Sequence, residues 1–357
     1  MESSLNEQNL FWEKKEFVSF VLSIFVFFIH CSTFDQYTDS GSWISLINNR
    51  ADFFFRESIT RFAVPMFFML SGISFYKDYD NKKYVGKMKS RFFTLVIPYL
   101  LWNTIWMIFD IMCSYSFLSN YFVGRKPFVI TVLNVLHGVF FYKCNGPFWY
   151  IFNLIVFSFA APVIYCIVRN KYVGMGTVIL LSLLQHYGIG LPQAVFFVPV
   201  SIIYYLIGAI VGRHFFDFVS KKSSKGLRFC SLAFLVVYVM AKNIFAEQLY
   251  LGNIILVMVV YVLSAFALWN VTDIFVDKIK PRKIYIRSFA IYAMHINVSA
   301  IITKIFVLCL PKNEWIVIPN FLATAVLTPL SIHLFCVLLE QFLPKVYAVL
   351  IGNRLRR

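Results

Sequence analysis

The stretch Phe17–His30, FVSFVLSIFVFFIH, decides which kind of protein this sequence encodes. It holds no charged residue before its final histidine, and its apolar side chains follow one another without alternating with polar ones. Strands of a membrane β-barrel need an alternating pattern in segments of about ten residues. A helix that spans the bilayer needs about 20 mainly apolar residues, and the apolar run 17–34 approaches that length. The stretch therefore predicts a membrane-spanning α-helix.

The same apolar character continues along the whole chain. Of its 357 residues, 60% are hydrophobic and 14% are charged, whereas soluble domains have about 45–50% and about 25%. Eleven apolar segments can be counted, at residues 17–34, 58–76, 92–113, 128–142, 148–168, 173–187, 194–212, 227–246, 250–272, 287–309 and 315–342. We therefore predict an all-α fold, a polytopic transmembrane helical bundle that forms a single domain over residues 1–357. A cytoplasmic segment, 1–16, precedes the first span, and a basic cytoplasmic tail, 345–357, follows the last.

The net charge of +16 is concentrated in short connections. Of the 33 lysines and arginines, 20 lie in the connections 77–91, 213–228 and 273–287 and in the tail. This placement is typical of cytoplasmic loops that face anionic lipid, so it argues against a nucleic-acid partner. The seven cysteines show no CxxC or other metal-ligand spacing, and we expect no metal.

Charge parity tests the number of spans. The strongly basic connections 77–91 and 213–228 should both be cytoplasmic, which requires an even number of crossings between them. Five apolar segments separate them, so one does not cross, and the short candidates are 128–142 and 173–187. If 128–142 is the segment that does not cross, Arg169 and Lys171 lie on the cytoplasmic side. This choice agrees better with the placement of positive charge in cytoplasmic loops. The prediction is ten spans, both termini cytoplasmic, and a short re-entrant or interfacial helix within the outer region 114–147.

Few ionisable residues lie inside the apolar segments, and at membrane depth such residues usually mark function. The topology brings His30, Arg61 and Asp110 to a similar depth near the outer leaflet, with His295 near mid-depth and His333 in the inner half. A neutral histidine can act as a general base toward a hydroxyl, while Arg or Asp stabilises charge or orients groups. The alternative is that each side chain snorkels to the headgroups or satisfies a buried hydrogen bond. His333 fits that structural role best.

The second span opens with Arg61–Gly72, RFAVPMFFMLSG. Arg61 stands at its outer edge, and Pro65 falls near the first turn, where a missing N–H costs least. Ser71 and Gly72 lie in the inner half, where small residues permit close packing of helices.

Five stretches in this order resemble the acyltransferase-3 family of membrane proteins, which includes O-acetyltransferases of bacterial surface polysaccharides. They are VFFIH with His30, RFAVPMFFMLSG, RFFTLVIPYLLW with Arg91, GPFWYIFNLIVFSFAAPVI with Trp149, and IYAMHI with His295. The resemblance covers most of the chain, and the family's ten-span core agrees with the parity count.

The resemblance implies transfer of an acyl group, usually acetyl from cytosolic acetyl-CoA, to a hydroxyl of an extracytoplasmic or lipid-linked glycan. His30 would be the general base or a transient acyl carrier, with Arg61 and Asp110 beside it. Arg91, Lys87 and Lys89 would meet the phosphates of acetyl-CoA, because a positive patch suits a polyanionic donor. Trp149 and His295 would bind the acceptor. Such a protein would be a multi-pass protein of a bacterial cell membrane, in contact with membrane lipid; its oligomeric state is left open.

Two positions depart from the family pattern. An arginine is common eleven residues before the first-span histidine, and here that residue is Ser19. The family's Arg-x-x-Arg at the third span reads Arg91-Phe-Phe-Thr94. Lys14 or Lys15 is a possible substitute from below. Two other functions therefore stay open: a transporter or flippase of a glycan or lipid, and a catalytically inactive family member in an envelope assembly.

Overall fold

The computed structural model describes residues 2–31, 33–36, 41–120, 126–189, 198–245, 253–275, 283–311 and 313–353. The described part of the chain is built of helices and connecting turns, without a β-strand. Its α-helices are α1 Glu2–His30, α2 Trp43–Phe53, α3 Ala63–Tyr76, α4 Tyr84–Arg91, α5 Ile97–Tyr115, α6 Val132–Phe140, α7 Trp149–Phe159, α8 Ala161–Val168, α9 Lys171–His186, α10 Val200–His214, α11 Phe216–Ser220, α12 Lys225–Ile244, α13 Ile254–Thr272, α14 Lys283–Ile286, α15 Ser288–Cys309, α16 Val317–Phe342 and α17 Pro344–Leu350. The all-helical prediction is confirmed.

Polar residues in the connections set where several helices begin. The side chains of Ser42, Thr131, Asn170, Ser224 and Asn253 each accept a hydrogen bond from a backbone N–H in the first turn that follows. Such caps satisfy N–H groups that the helix itself leaves without a partner. The apolar segments can therefore be separate helices although little polar sequence divides them.

Each of the eleven apolar segments contains a helix. By length and composition, six described helices can span a membrane: Trp43–Tyr76, Asn81–Tyr115, Lys225–Ile244, Ile254–Thr272, Ser288–Cys309 and Glu314–Phe342. The segment 148–168 is a pair of helices bent by 73° at the break before Ala161, and it makes a seventh span if the pair crosses as one. The count of ten spans and the sidedness of the termini remain predictions.

The centre of the bundle is a close contact between α3 and α10. A methyl group added at Gly208 would lie 2.1 Å from the Met69 carbonyl oxygen, and one at Gly212 would lie 2.5 Å from that of Ile73. From the α3 side, a methyl group on Gly72 would lie 2.4 Å from the Tyr205 carbonyl oxygen. The predicted role of Gly72 in close helix packing is confirmed.

α15 lies beside α1 and runs in the same direction. The Ser23 hydroxyl donates to the Ser288 carbonyl oxygen over 3.2 Å, and seven residues further along both helices the His30 and His295 rings meet. The two histidines are therefore level with each other. Our prediction of an outer position for His30 and a mid-depth position for His295 was wrong in this respect, because α15 begins beside Ser23, in the last third of α1, and not beside its first residues.

The C-terminal helix α17 joins the start of α15 to the start of α5. The Trp102 indole N–H donates to the Leu350 carbonyl oxygen over 3.1 Å. Buried Arg287, just before α15, donates to the Tyr347 hydroxyl over 3.1 Å, and it pairs with Glu340 at 2.6 Å. Its guanidinium also contacts the His333 ring at 2.9 Å, which accords with a structural role for that histidine. Of the predicted tail 345–357, residues 354–357 lie outside the described residues.

Candidate active site

His30 and His295 form the centre of the candidate site. Their ring centroids are 5.6 Å apart, with 39° between the ring planes. His30 is the last residue of α1 and is exposed, whereas His295 lies within α15 and is 1% exposed. One ring is therefore open to a reactant and the other is held behind it.

The hydrogen bond of His295 defines which of its nitrogens can act as a base. Nδ1 lies 2.8 Å from the carbonyl oxygen of Tyr292. Because a carbonyl oxygen only accepts, Nδ1 must carry the hydrogen, and in the neutral ring Nε2 then keeps a lone pair. Nε2 is buried and has no hydrogen-bond partner among the described residues. The site thus contains a buried nitrogen base without a proton.

Aromatic side chains pack around His295. The Tyr292 hydroxyl donates to the Pro147 carbonyl oxygen, and its ring stacks on Phe148 with centroids 5.9 Å apart and 3° between the planes. Tyr150 lies 5.9 Å from Tyr292, centroid to centroid, and its hydroxyl is 2.9 Å from that of Ser71. These contacts fix the turn of α15 that carries His295.

Trp149 and Asp110 lie on α7 and α5, beside the elements that carry this centre. The Trp149 ring packs on Phe68 at 5.7 Å, while its neighbour Tyr150 faces Tyr292. Asp110 lies one turn beyond Trp106, whose indole N–H donates to the Ala293 carbonyl oxygen over 2.9 Å.

Arg61 lies near His30 at the outer end of the site. It binds Glu57 through two nitrogens, one of them Nε at 2.7 Å from Oε2. The positive charges of Arg61 and Arg56 both act on the His30 ring. Arg56 thus lies within electrostatic range of His30 together with Arg61, and the pairing of Arg61 with His30 stays a prediction.

Lys242, from α12, completes this outer group. Its side chain is buried, and Nζ donates to the Glu57 carbonyl oxygen over 2.5 Å. The next residue, Asn243, donates to the Ser58 hydroxyl over 2.9 Å. α12 is thereby fastened to the π-helical turn Phe54–Ser58, which precedes Arg61.

The inner cations that we predicted for a polyanion lie around the end of α3. Lys87 donates to the Phe75 carbonyl oxygen over 2.7 Å, and Arg91 lies over the Phe75 ring at 5.3 Å. Lys89 is exposed. Lys87 and Arg91 are thus brought together, whereas Lys89, two residues from each, lies on another face of α4.

Lys14 does not supply a free charge in place of an arginine at Ser19. It forms a 2.7 Å ion pair with Asp273, and both side chains are at most 1% exposed. Asp273 also accepts from the Ser223 backbone N–H and hydroxyl. Burial lowers the pKa of Lys14 to about 8, while the ion pair with Asp273 opposes the shift. The pair fastens α1 to the end of α13.

Sequence reasoning missed three residues of this arrangement: Lys242, Arg56 and Tyr150. Lys242 is a lysine inside an apolar segment, which is a signal for a buried charge. Arg56 lies in a polar connection, where a charge needs no explanation, and Tyr150 opens an apolar segment, where an aromatic residue is expected at the membrane interface. Among the described residues, no three His, Cys, Asp or Glu side chains converge as metal ligands would.

The comparison with known proteins identifies a family. A family model described as an acyltransferase domain, acyltransferase-3, matches residues 19–340. The match contains every residue of the candidate site named above except Lys14, which lies just before it. Neither a curated protein nor a solved structure matches the chain.

Proposed function

The chain belongs to the acyltransferase-3 family, and from this membership we propose that it is a membrane O-acyltransferase. The proposed reaction moves acetyl from cytosolic acetyl-CoA to a hydroxyl of an extracytoplasmic or lipid-linked glycan. The proposed location is a bacterial cell membrane, with His30 and His295 as the reacting centre. The observation that carries the proposal is the contact of these two rings, one exposed and one buried with a free Nε2.

The chemistry required is the exchange of a thioester for an ester. The hydroxyl oxygen attacks the thioester carbonyl carbon, a C–O bond forms, the C–S bond breaks, and the hydroxyl gives up its proton. In our proposal His30 takes that proton at the exposed face of the pair, as a general base. His295 supplies its free Nε2 as the next acceptor. Arg61 places positive charge beside the carbonyl oxygen as negative charge develops there.

The donor is proposed to bind at the inner end of α3. Lys87 and Arg91 are held against Phe75, and Lys89 adds a third cation nearby, which suits the phosphates of acetyl-CoA. Since Lys14 is paired with Asp273, it is not part of the proposed donor site. Trp149 and Asp110 stay in the proposal as more distant parts of the acceptor site.

The test follows labelled acetyl from acetyl-CoA to glycan in membranes that contain the chain or its variants. His30→Ala and His295→Ala should each lower the rate by about 10²–10⁴-fold, the contribution of one acid–base group. The double variant should be little worse than either single one, because the two rings act as a unit. His186→Ala, at the end of α9, is the control. Full activity of His30→Ala would refute the mechanism.

A transporter or flippase of a glycan or lipid is the second candidate. One observation favours it: the span made of Gly146–Phe159 and Ala161–Val168 is broken by 73°, and transporters often use broken helices at their binding sites. Movement of a glycan or lipid across vesicles that contain the pure chain, without transfer of any acyl group, would select this function.

A further inference from the structure

α15 and α16 meet as an antiparallel pair with a defined register. Arg287, at the start of α15, contacts both His333 and Glu340 near the end of α16. These two contacts place residue 287 opposite the two turns 333–340 of α16. At the outer end of α15, Thr303 lies 3.4 Å from Thr33, hydroxyl to hydroxyl, and so faces the segment that follows α1.

Steps of four residues along the two helices then bring buried polar residues to common levels. His295 is level with Thr328, Ser299 with Thr324, and Thr303 with Asn320. All six side chains are buried. We call these six residues the polar seam, and they run from the candidate active site to the outer ends of α15 and α16.

Three polar atoms of the seam have no hydrogen-bond partner among the described residues. They are His295 Nε2, Thr328 Oγ1 and Asn320 Nδ2, on side chains that are 1%, 0% and 2% exposed. Buried polar groups in proteins are nearly always paired with protein or with ordered water. Three such atoms, at the two ends of this buried series, indicate a ligand that can both donate and accept.

The threonines of the seam differ from the serines and threonines of the other helices. Elsewhere the hydroxyl commonly donates to the carbonyl oxygen four residues earlier, which satisfies it inside its own helix. That bond is made by Ser23, Ser74, Thr104, Ser158, Ser182 and Thr272. In the seam, Thr324 donates instead to the Asn320 side-chain oxygen over 3.3 Å. Local helix bonding therefore does not account for the hydroxyls of Thr324 and Thr328.

We propose that the polar seam binds water that leads from His295 Nε2 to the outer ends of α15 and α16, and that this water carries away the proton of the acceptor hydroxyl. The role in proton removal rests on the proposed acyl transfer, whereas the presence of water in the seam does not. During transfer, the reactants cover the exposed face of His30. The polar seam is then the route that remains for the proton, on the buried side of the His30–His295 pair.

The protons balance in this scheme. The acceptor hydroxyl loses one proton to His30. Because the two rings share no hydrogen bond, a bridging water relays this proton to His295 Nε2, and seam water takes it to the outer surface. The thiolate that leaves the donor gains one proton from the solvent on its own side. No oxidant, reductant or further reactant is needed.

Silver ions test access to the seam, because they travel through water and bind thiolates. The chain would have its seven native cysteines replaced, and one cysteine would be introduced as Thr324→Cys or Ser299→Cys. Val326→Cys is the matched control, since Val326 is two residues away in α16 and is 57% exposed on the opposite side. Silver added outside should block later alkylation of the seam cysteines in denaturant at least ten times faster than that of the control. Equal rates would overturn the proposal.

Kinetics test the role of the water. Thr324→Val and Thr328→Val keep the side-chain shape but remove the hydroxyl. They should lower kcat about ten-fold or more and leave KM for donor and acceptor unchanged, while Thr324→Ser should retain activity. An unchanged kcat in the double valine variant would refute proton removal through the seam. If the parent chain transfers no acyl group, the proposed function fails, and the silver experiment still decides whether the seam is wet.

Discussion

Arg61 connects the two parts of the outer site, which are the turn that carries Glu57 and the His30 ring. Its guanidinium holds Glu57 with two nitrogens and acts on the His30 ring from the same position. Arg61→Ala should therefore lower acyl transfer about 100-fold, as does the loss of one group that stabilises developing charge. Arg61→Lys should recover part of the rate, because lysine keeps the positive charge but lacks the planar guanidinium that binds through two nitrogens. Labelled-acetyl transfer in membranes measures both.

Arg50→Ala is the control for this experiment. Arg50 belongs to the same outer region, and it donates to the Asn243 carbonyl oxygen over 3.1 Å. Its loss should change the rate less than two-fold. An Arg61→Ala variant as active as Arg50→Ala would remove Arg61 from the site.

The buried pair of Lys14 and Asp273 should be important for stability. Asp273→Asn leaves the Lys14 charge buried without its counter-ion, which costs about 3–5 kcal/mol in comparable pairs. The double variant Lys14→Met with Asp273→Leu should regain most of this loss, because it leaves no charge behind. Unfolding in mixed detergent micelles gives the free energies.

An exposed pair provides the comparison. Lys83 and Asp80 lie 4.0 Å apart with side chains 53% and 45% exposed, so Asp80→Asn should cost about 1 kcal/mol or less. Asparagine also keeps the helix cap that Asp80 makes. If Asp80→Asn and Asp273→Asn lowered the free energy of unfolding equally, burial would not determine how much these ion pairs contribute to stability.

At the candidate site, the sequence predicts which residues take part better than it predicts which of them lie close together. His30, Arg61 and His295 can be identified because a charge or a histidine in an apolar run is rare and costly. The positions of these residues along the axis of the bundle cannot be predicted in this way, because the contact of His30 with His295 depends on where α15 starts beside α1. The pairing of Lys14 with Asp273 is equally hidden, because 259 residues separate the two and local pattern carries no information on such contacts.

Among the elements, the contact between α3 and α10 tolerates the least change. Gly208→Ala would place a methyl group 2.1 Å from the Met69 carbonyl oxygen, so the two helices would have to move apart. Overpacking of this kind costs about 1–3 kcal/mol. We expect a loss of that size in micelle unfolding.

Gly176→Ala is the matched change in a helix without such a contact. Gly176 lies in α9, and no atom would come within 4 Å of its added methyl group. Alanine stabilises a helix by about 0.8–1.0 kcal/mol relative to glycine. Opposite signs for Gly208→Ala and Gly176→Ala are therefore expected, and a shared sign would contradict the packing argument.

The helices themselves were largely predictable from the sequence, and their interruptions were less so. Apolar runs and polar caps predict one helix in each of the eleven segments. The 73° break before Ala161 was not predicted, although Pro162 marks it afterwards. A proline in the first turn of a helix is compatible with a straight or a bent path, and the choice depends on the packing of neighbouring helices.

For the whole molecule, the open question is which segment stays on one side of the membrane. α6 has nine residues and is about 14 Å long, less than half of the roughly 30 Å hydrocarbon layer. α9, the other short candidate, has 16 residues and reaches about 24 Å. Length therefore favours α6, Val132–Phe140, as the helix that does not cross, in agreement with charge parity.

The choice between these two helices decides the side on which Lys171 lies. In a chain whose native cysteines are replaced, Lys126→Cys should react with a membrane-impermeant maleimide in intact cells, because the region around α6 is predicted to be outside. Lys171→Cys should react only after permeabilisation, as should Lys83→Cys, the control in the basic connection 77–91. If α9 were the helix that does not cross, Lys171→Cys would react in intact cells while Lys83→Cys would not. That result would reduce the support for an outer acceptor region between α5 and α7, because α6 would then have to cross despite its length.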